Sequence, residues 1–154
     1  MYFLDLNKTY SFYAEYHHHP ANKLIHIIFV PIIFSTSIQL LSRYVSTLLL
    51  WTISSLFAAS YVYMDSQAGI AYLPFMGLMT YCGIAELWMS YGFLLWMIGW
   101  IAQFVGHGVF EGKRPALVDN IIQAIHSAIF FVWLEVIFSL GFRKELQKRL
   151  SKKS

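Results

Sequence analysis

The sequence predicts an all-α integral membrane protein: a helical bundle of about four to five apolar helices, preceded by a short N-terminal amphipathic helix. Three observations carry this. Charged residues fill 12% of the 154 positions and hydrophobic ones 58%, whereas soluble domains carry roughly 25% charge. Residues 44–110 hold only two charges, Asp65 and Glu86. Five apolar runs each approach the ~20 residues needed to cross a hydrocarbon core. Backbone polar groups in lipid are satisfied only in helices or closed barrels, and these runs are too continuous for the alternating pattern of barrel strands. Disorder is excluded by the same composition, and the length suits one membrane-embedded domain over residues 1–154.

In chain order, Phe3, Leu6, Tyr10, Tyr13 and His17 recur at three- to four-residue steps within residues 1–20. This stripe predicts an amphipathic helix lying on the membrane surface. Asp5, Lys8 and Glu15 interrupt any apolar core of a cleavable signal, so insertion is expected to begin at the first internal apolar segment. Pro20 disfavours helix at His19 and marks a break.

The first span is read as Leu24–Leu41, containing Pro31, His26, Ser35, Ser37 and Gln39, and the second as Tyr44–Met64. The third, Ala68–Ala85 with Pro74, and the fourth, Leu87–Val105, are separated by Glu86 alone and predict a tight hairpin or one bent pair. Trp88, Tyr91, Trp96 and Trp100 suit an aromatic belt and helix packing. Gly77, Gly83, Gly92 and Gly99 permit close helix contact, although no GxxxG pair is well placed. Cys82, the single cysteine, reads as a small buried hydrophobe and excludes an intramolecular disulfide.

The last span, Ile121–Phe142, carries Gln123, His126 and Glu135 and either crosses or lies partly in the interface, with Asp119 and Asn120 as its N-cap. Residues 143–154 form a basic tail: Arg143, Lys144, Lys148, Arg149, Lys152 and Lys153 are six of the eleven basic residues. Next to an apolar helix, such a tail reads as a segment held against anionic headgroups rather than as a nucleic-acid arm.

Six histidines stand out in this setting. Polar side chains at the ends of apolar helices are expensive, and histidine is the commonest metal ligand. If the first four segments cross, His17 and His26 at the start of the first meet His107 at the end of the fourth on one face. Three neutral imidazoles can hold a divalent transition metal with positions left open. Glu111 lies one helical turn from His107 and reads as a further ligand, an orienting partner or a base. Asn22 and Gln103 are polar at the same depth and could fix an imidazole tautomer or a bound oxygen. Lys113 and Arg114 follow at once and could receive a carboxylate, or could be flanking charges that set topology. Adjacent side chains diverge on a helix, so the run His17-His18-His19 cannot place all three rings at one metal. His126 reads as a structural polar residue. Spacing alone also allows each histidine to be an ordinary surface or interfacial residue.

Two motif blocks add to this. They are His17…Pro20-x-Asn22-x3-His26-x2-Phe29-Val30-Pro31 and Trp100-x2-Gln103-Phe104-x-Gly106-His107-Gly108-x-Phe110-Glu111-x2-Arg114-Pro115-Ala116-Leu117-x-Asp119-Asn120. Over about residues 6–142 the chain resembles the membrane-bound 2-hydroxy fatty acid dioxygenases named for the metabolism of phytosphingosine, a sphingolipid base, to odd-numbered fatty acids. The resemblance implies an Fe2+-dependent α-oxidation in which a 2-hydroxy fatty acid and O2 give the fatty acid one carbon shorter. It places the family's essential histidines on His17, His26 and His107, with Glu111, Asn22 and Gln103 inside the matched blocks. His18, His19 and His126 depart from the family pattern.

A diiron hydroxylase would want more clustered histidines. A metal or proton transporter would want polar residues at mid-span, where only His126 and Glu135 stand. The other alternative is a non-enzymatic membrane structural protein. Expected partners are the hydroxy acid, O2 and membrane lipid, with a homo-oligomer possible and no nucleic acid. If all five segments cross, a cytoplasmic basic tail puts the site outside or in a lumen; if the fifth lies flat or re-enters, tail and site are both cytoplasmic. Lys8, Lys23, Lys113 and Arg114 on the histidine side favour this second arrangement, in the inner membrane of a bacterium or the endoplasmic reticulum of a eukaryote.

Overall fold

In the computed structural model, which describes residues 4–152, α1 (Leu6–Tyr16) starts where the Asp5 carboxylate accepts the Asn7 and Lys8 N–H groups at 3.0 and 3.2 Å. Leu6, Thr9, Tyr10 and Tyr13 form its buried face. That face meets α6 (Ile121–Ser139), with Tyr10 edge-on to Phe131 at 5.4 Å and Tyr13 against the same ring at 5.2 Å. The apolar stripe is therefore spent on protein, not on a membrane surface as its periodicity suggested. Phe131 supplies aromatic partners as well as a dry face, which a lipid interface does not. Phe3 of the predicted stripe and Lys153 of the tail lie outside the described residues.

Next, α2 runs Pro20–Leu41, beginning four residues before the apolar run. Proline suits a first helical position, where its missing N–H is not needed. The His19 ring assists by accepting the Ala21 N–H through Nδ1 at 3.1 Å. Helices α3 (Thr47–Met64) and α4 (Ser66–Ile84) are joined through one residue. Asp65 ends α3 by donating its N–H to the Tyr61 carbonyl and starts α4 by accepting the Ala68 N–H through its side chain at 2.9 Å.

Between α4 and α5 (Gly92–Val105) the chain turns over residues 85–91, with Glu86 and Met89 in the left-handed region, a longer connection than Glu86 alone. Two glycines matter here. A side chain at Gly69 would run into the Val62 backbone, and one at Gly83 into the Ser35 carbonyl and Ile38. Close approach is thus achieved without a GxxxG pair. The indoles of Trp88 and Trp96 donate to Ser35 Oγ at 2.8 Å and Ser37 Oγ at 3.0 Å, so they serve packing inside the protein.

A π-helical segment, Gly106–Glu111, continues from α5. After the loop, Asn120 caps α6 by accepting the Gln123 N–H at 3.0 Å. The basic tail begins as a folded helix, α7 (Lys144–Ser151), with Leu146 and Leu150 buried.

Pro20–Leu41, Thr47–Met64, Met89–Glu111 and Ile121–Ser139 are long and apolar enough to cross a membrane. The predicted third span folds as α4 but stands outside this set; Gln67, Pro74 and Thr80, together with three glycines, dilute its apolar content. The chain divides into two compact units, one within Met1–Ile28 and Ala102–Ser154 and the other Phe29–Ile101. All the candidate site residues belong to the first.

Candidate metal centre

The three candidate histidines come from three kinds of backbone. His17 caps the end of α1, outside the helix at φ −135° and ψ 70°. His26 sits in the second turn of α2, and His107 in the π-helical segment. Each is at most 6% exposed. Their rings stand nearly perpendicular, with centroids 4.4 Å apart for His17 and His26, 4.9 Å for His17 and His107, and 5.0 Å for His26 and His107. One nitrogen from each lies within 4.8 Å of the other two, a separation that metal–nitrogen bonds of about 2.0–2.1 Å can bridge with small ring movements.

Two of the rings are held by the same device. His17 Nδ1 donates to the Tyr13 carbonyl at 2.8 Å, and His26 Nδ1 to the Asn22 carbonyl at 2.9 Å. Each bond reaches back four residues and fixes the tautomer that leaves Nε2 with a lone pair. His17 Nε2 is buried with no hydrogen-bond partner among the described residues. Burial, and then the neighbouring His26 imidazole, hold the His17 pKa well below its ordinary value, against the opposing pull of the Tyr13 carbonyl. The ring is therefore neutral at physiological pH, with its Nε2 lone pair free, as a metal ligand must be. The donor set fits a divalent transition metal.

The π-helical segment shapes the third ligand. Such widened turns are rare and frequently fall at functional sites. Gly106 at its start leaves room for Asn22, because a Cβ there would force the Asn22 Oδ1 to shift. Gly112, in the left-handed region at φ 62°, ends it. The His107 carbonyl accepts from Gly112 N–H and from Lys113 N–H at 3.3 Å.

Glu111 stands outside the three-histidine group. Its carboxylate accepts the His19 N–H at 2.9 Å and Asn22 Nδ2–H at 3.0 Å, so it ties the π segment to the turn that carries His17. Asn22 is fully buried, and Gln103, one turn before His107, is buried too; among the described residues Asn22 Oδ1, Gln103 Nε2 and His107 Nδ1 have no hydrogen-bond partner.

Lys113 and Arg114 are exposed. Lys113 Nζ donates to the Glu15 carbonyl at 3.2 Å, and Arg114 pairs with Asp119 at 2.8 Å. Tyr16 donates to the other Asp119 oxygen at 2.7 Å, and that bond raises the Tyr16 pKa to about 12. Asp119 is thus committed to this latch, and Asn120 alone caps α6. His18 and His19 are exposed, with the His19 ring stacked on Phe110 at 5.1 Å. His126 is buried in α6 but is not part of the three-histidine group.

Two features escaped sequence reasoning. Tyr13 stacks flat on His17, with centroids 4.0 Å apart and planes 11° from parallel. Lys23 pairs with Glu135 at 2.7 Å, the carboxylate side chain only 15% exposed. Glu135 also adds to the effect of burial in raising the Tyr10 pKa to about 12. Two opposite charges inside apolar segments were the available signal for the ion pair.

Residues 3–140 match the family model described as 2-hydroxy-palmitic acid dioxygenase Mpo1-like. The 2-hydroxy-palmitic acid dioxygenase MPO1 of Saccharomyces cerevisiae is 41% identical over 153 residues, spanning 96% of this chain and 88% of that protein. No solved structure matches the chain. The chain belongs to the Mpo1-like family.

Proposed function

We propose that this chain is an Fe2+-dependent dioxygenase that converts a 2-hydroxy fatty acid and O2 to the fatty acid one carbon shorter, the carboxyl carbon leaving as CO2 with one water. The observation that carries the reading is the buried group of His17, His26 and His107, whose ring nitrogens lie within 4.8 Å of one another. Iron, when bound, supplies the redox chemistry that activates O2. The chain's own residues do the rest. His17 and His26 keep their Nδ1 protons on main-chain carbonyls and present Nε2. Asn22 and Glu111 hold the turn and the π segment together, which fixes the ligand positions. Gln103 offers a buried, unspent amide N–H for the polar head of the substrate. Lys113 and Arg114, exposed beside the site, draw the carboxylate towards it by long-range attraction.

A substrate of this class has an alkyl chain suited to lipid and a head suited to a dry polar site. The apolar helices keep the protein where such a substrate resides, and the exposed basic residues of α7 favour contact with anionic lipid. On the charge balance of the loops we place the site facing the cytoplasm. The test is metal analysis with turnover of 2-hydroxypalmitate. Wild type should hold one equivalent of iron and release the one-carbon-shorter acid, and His107→Ala should lose both. Full activity in His107→Ala would sink the assignment.

A further inference from the structure

Of the three ligand histidines, only His17 lies outside a helix. His26 and His107 have their side-chain directions narrowed by α2 and the π-helical segment, whereas His17 stands past the end of α1 with non-helical dihedrals, φ −135° and ψ 70°. A three-point metal site needs all three rings equally well set. Something must therefore restrain His17.

We propose that Tyr13 is the positioning residue for His17, acting through its ring as well as its main chain. The Tyr13 carbonyl holds Nδ1 at 2.8 Å, which fixes one edge of the imidazole. The phenol ring lies flat against one face at 4.0 Å and 11°, which fixes the plane. An edge and a face together leave the imidazole little rotation about χ2. Tyr13 is itself immobilised: it is 2% exposed and wedged by Phe131 at 5.2 Å and Tyr10 at 6.1 Å. Phe131 in turn meets Tyr10 edge-on. The aromatic cluster between α1 and α6 thus sets the orientation of a metal ligand and does more than fill a core. The Tyr13 hydroxyl has no hydrogen-bond partner among the described residues, so the plane of the ring, not its oxygen, carries the role.

This inference rests on the metal reading, and its test separates the two. Purified full-length protein is titrated with Co2+, and affinity and visible absorption spectrum are recorded for wild type, Tyr13→Phe and Tyr13→Met. Methionine keeps apolar volume but offers no plane. Tyr13→Phe should match wild type in both readouts. Tyr13→Met should bind Co2+ about tenfold or more weakly, the range typical of losing a ligand's supporting contact, with an altered spectrum and unchanged helix content. Should Tyr13→Met fail to fold, Phe131→Leu removes the wedge while leaving Tyr13 in place, and should weaken Co2+ binding severalfold. Wild-type affinity in both Tyr13→Met and Phe131→Leu, or equal loss in Tyr13→Phe and Tyr13→Met, overturns the role of the ring. If wild type binds no Co2+, the metal reading itself falls.

Discussion

In the unit Phe29–Ile101, Ser35, Thr36, Gln39 and Thr80 spend their donors on neighbouring groups; around the three histidines several buried polar atoms have no partner among the described residues. Ser35 donates to the Met79 carbonyl and accepts from Trp88, Thr36 and Thr80 bond back to their own helices, and Gln39 donates to the Met89 carbonyl. Only Gln39 Oε1 is left over in that set. In the other unit, the hydroxyl of Tyr13, Nε2 of His17, Oδ1 of Asn22, Nε2 of Gln103 and Nδ1 of His107 are all buried with no hydrogen-bond partner among the described residues. Each such group costs about 1–3 kcal/mol. One region spends its polarity on helix packing, and the other leaves these atoms unspent at the proposed metal centre.

The comparison breaks most sharply at the ligands. Replacing His26 with Ala should remove metal measured by elemental analysis and cut turnover by well over about a hundredfold, more than loss of any supporting contact. Retained metal would mean that the three histidines are not a ligand set.

Gly106→Ala comes next. Its Cβ would displace Asn22, whose amide joins Glu111 to the site. Overpacking of this kind costs about 1–3 kcal/mol, and metal affinity should fall about tenfold. A titration equal to wild type would show that Asn22 does not matter to the ligands.

A matched pair then tests the two regions against each other. Gln103→Leu replaces an unsatisfied amide with an apolar group, so thermal stability should hold or rise while turnover falls. Ser35→Ala strands the Trp88 N–H, so stability should drop by about 1–3 kcal/mol while specific activity stays. The reverse pattern would erase the distinction drawn above.

The smallest effect belongs to Lys113→Gln combined with Arg114→Gln. Both side chains are exposed, and surface charge pairs contribute only about 0–1 kcal/mol. KM should rise about threefold at low salt, with kcat unchanged and the difference screened away as salt increases.

Much of the molecule was legible from residue order. Apolar runs with almost no charge can fold only as helices in lipid, so the helical class followed from composition. Asn120 before an apolar run signalled a cap because its short side chain reaches the Gln123 N–H. Likewise His17, His26 and His107 were singled out by their places at segment ends, and they are the three that meet.

Tertiary structure decided the rest, because it depends on which faces meet. The stripe of α1 could equally have covered lipid or protein; Phe131 drew it inward. Nothing in the run His17-His18-His19 says which ring turns inside, and only the Tyr13 carbonyl and ring select His17. Periodicity at 3.6 residues cannot foresee the wider turn at Gly106–Glu111, which Asn22 and Glu111 accompany. Residue order determines what each segment can bury; side-chain direction is settled only once another element packs against it.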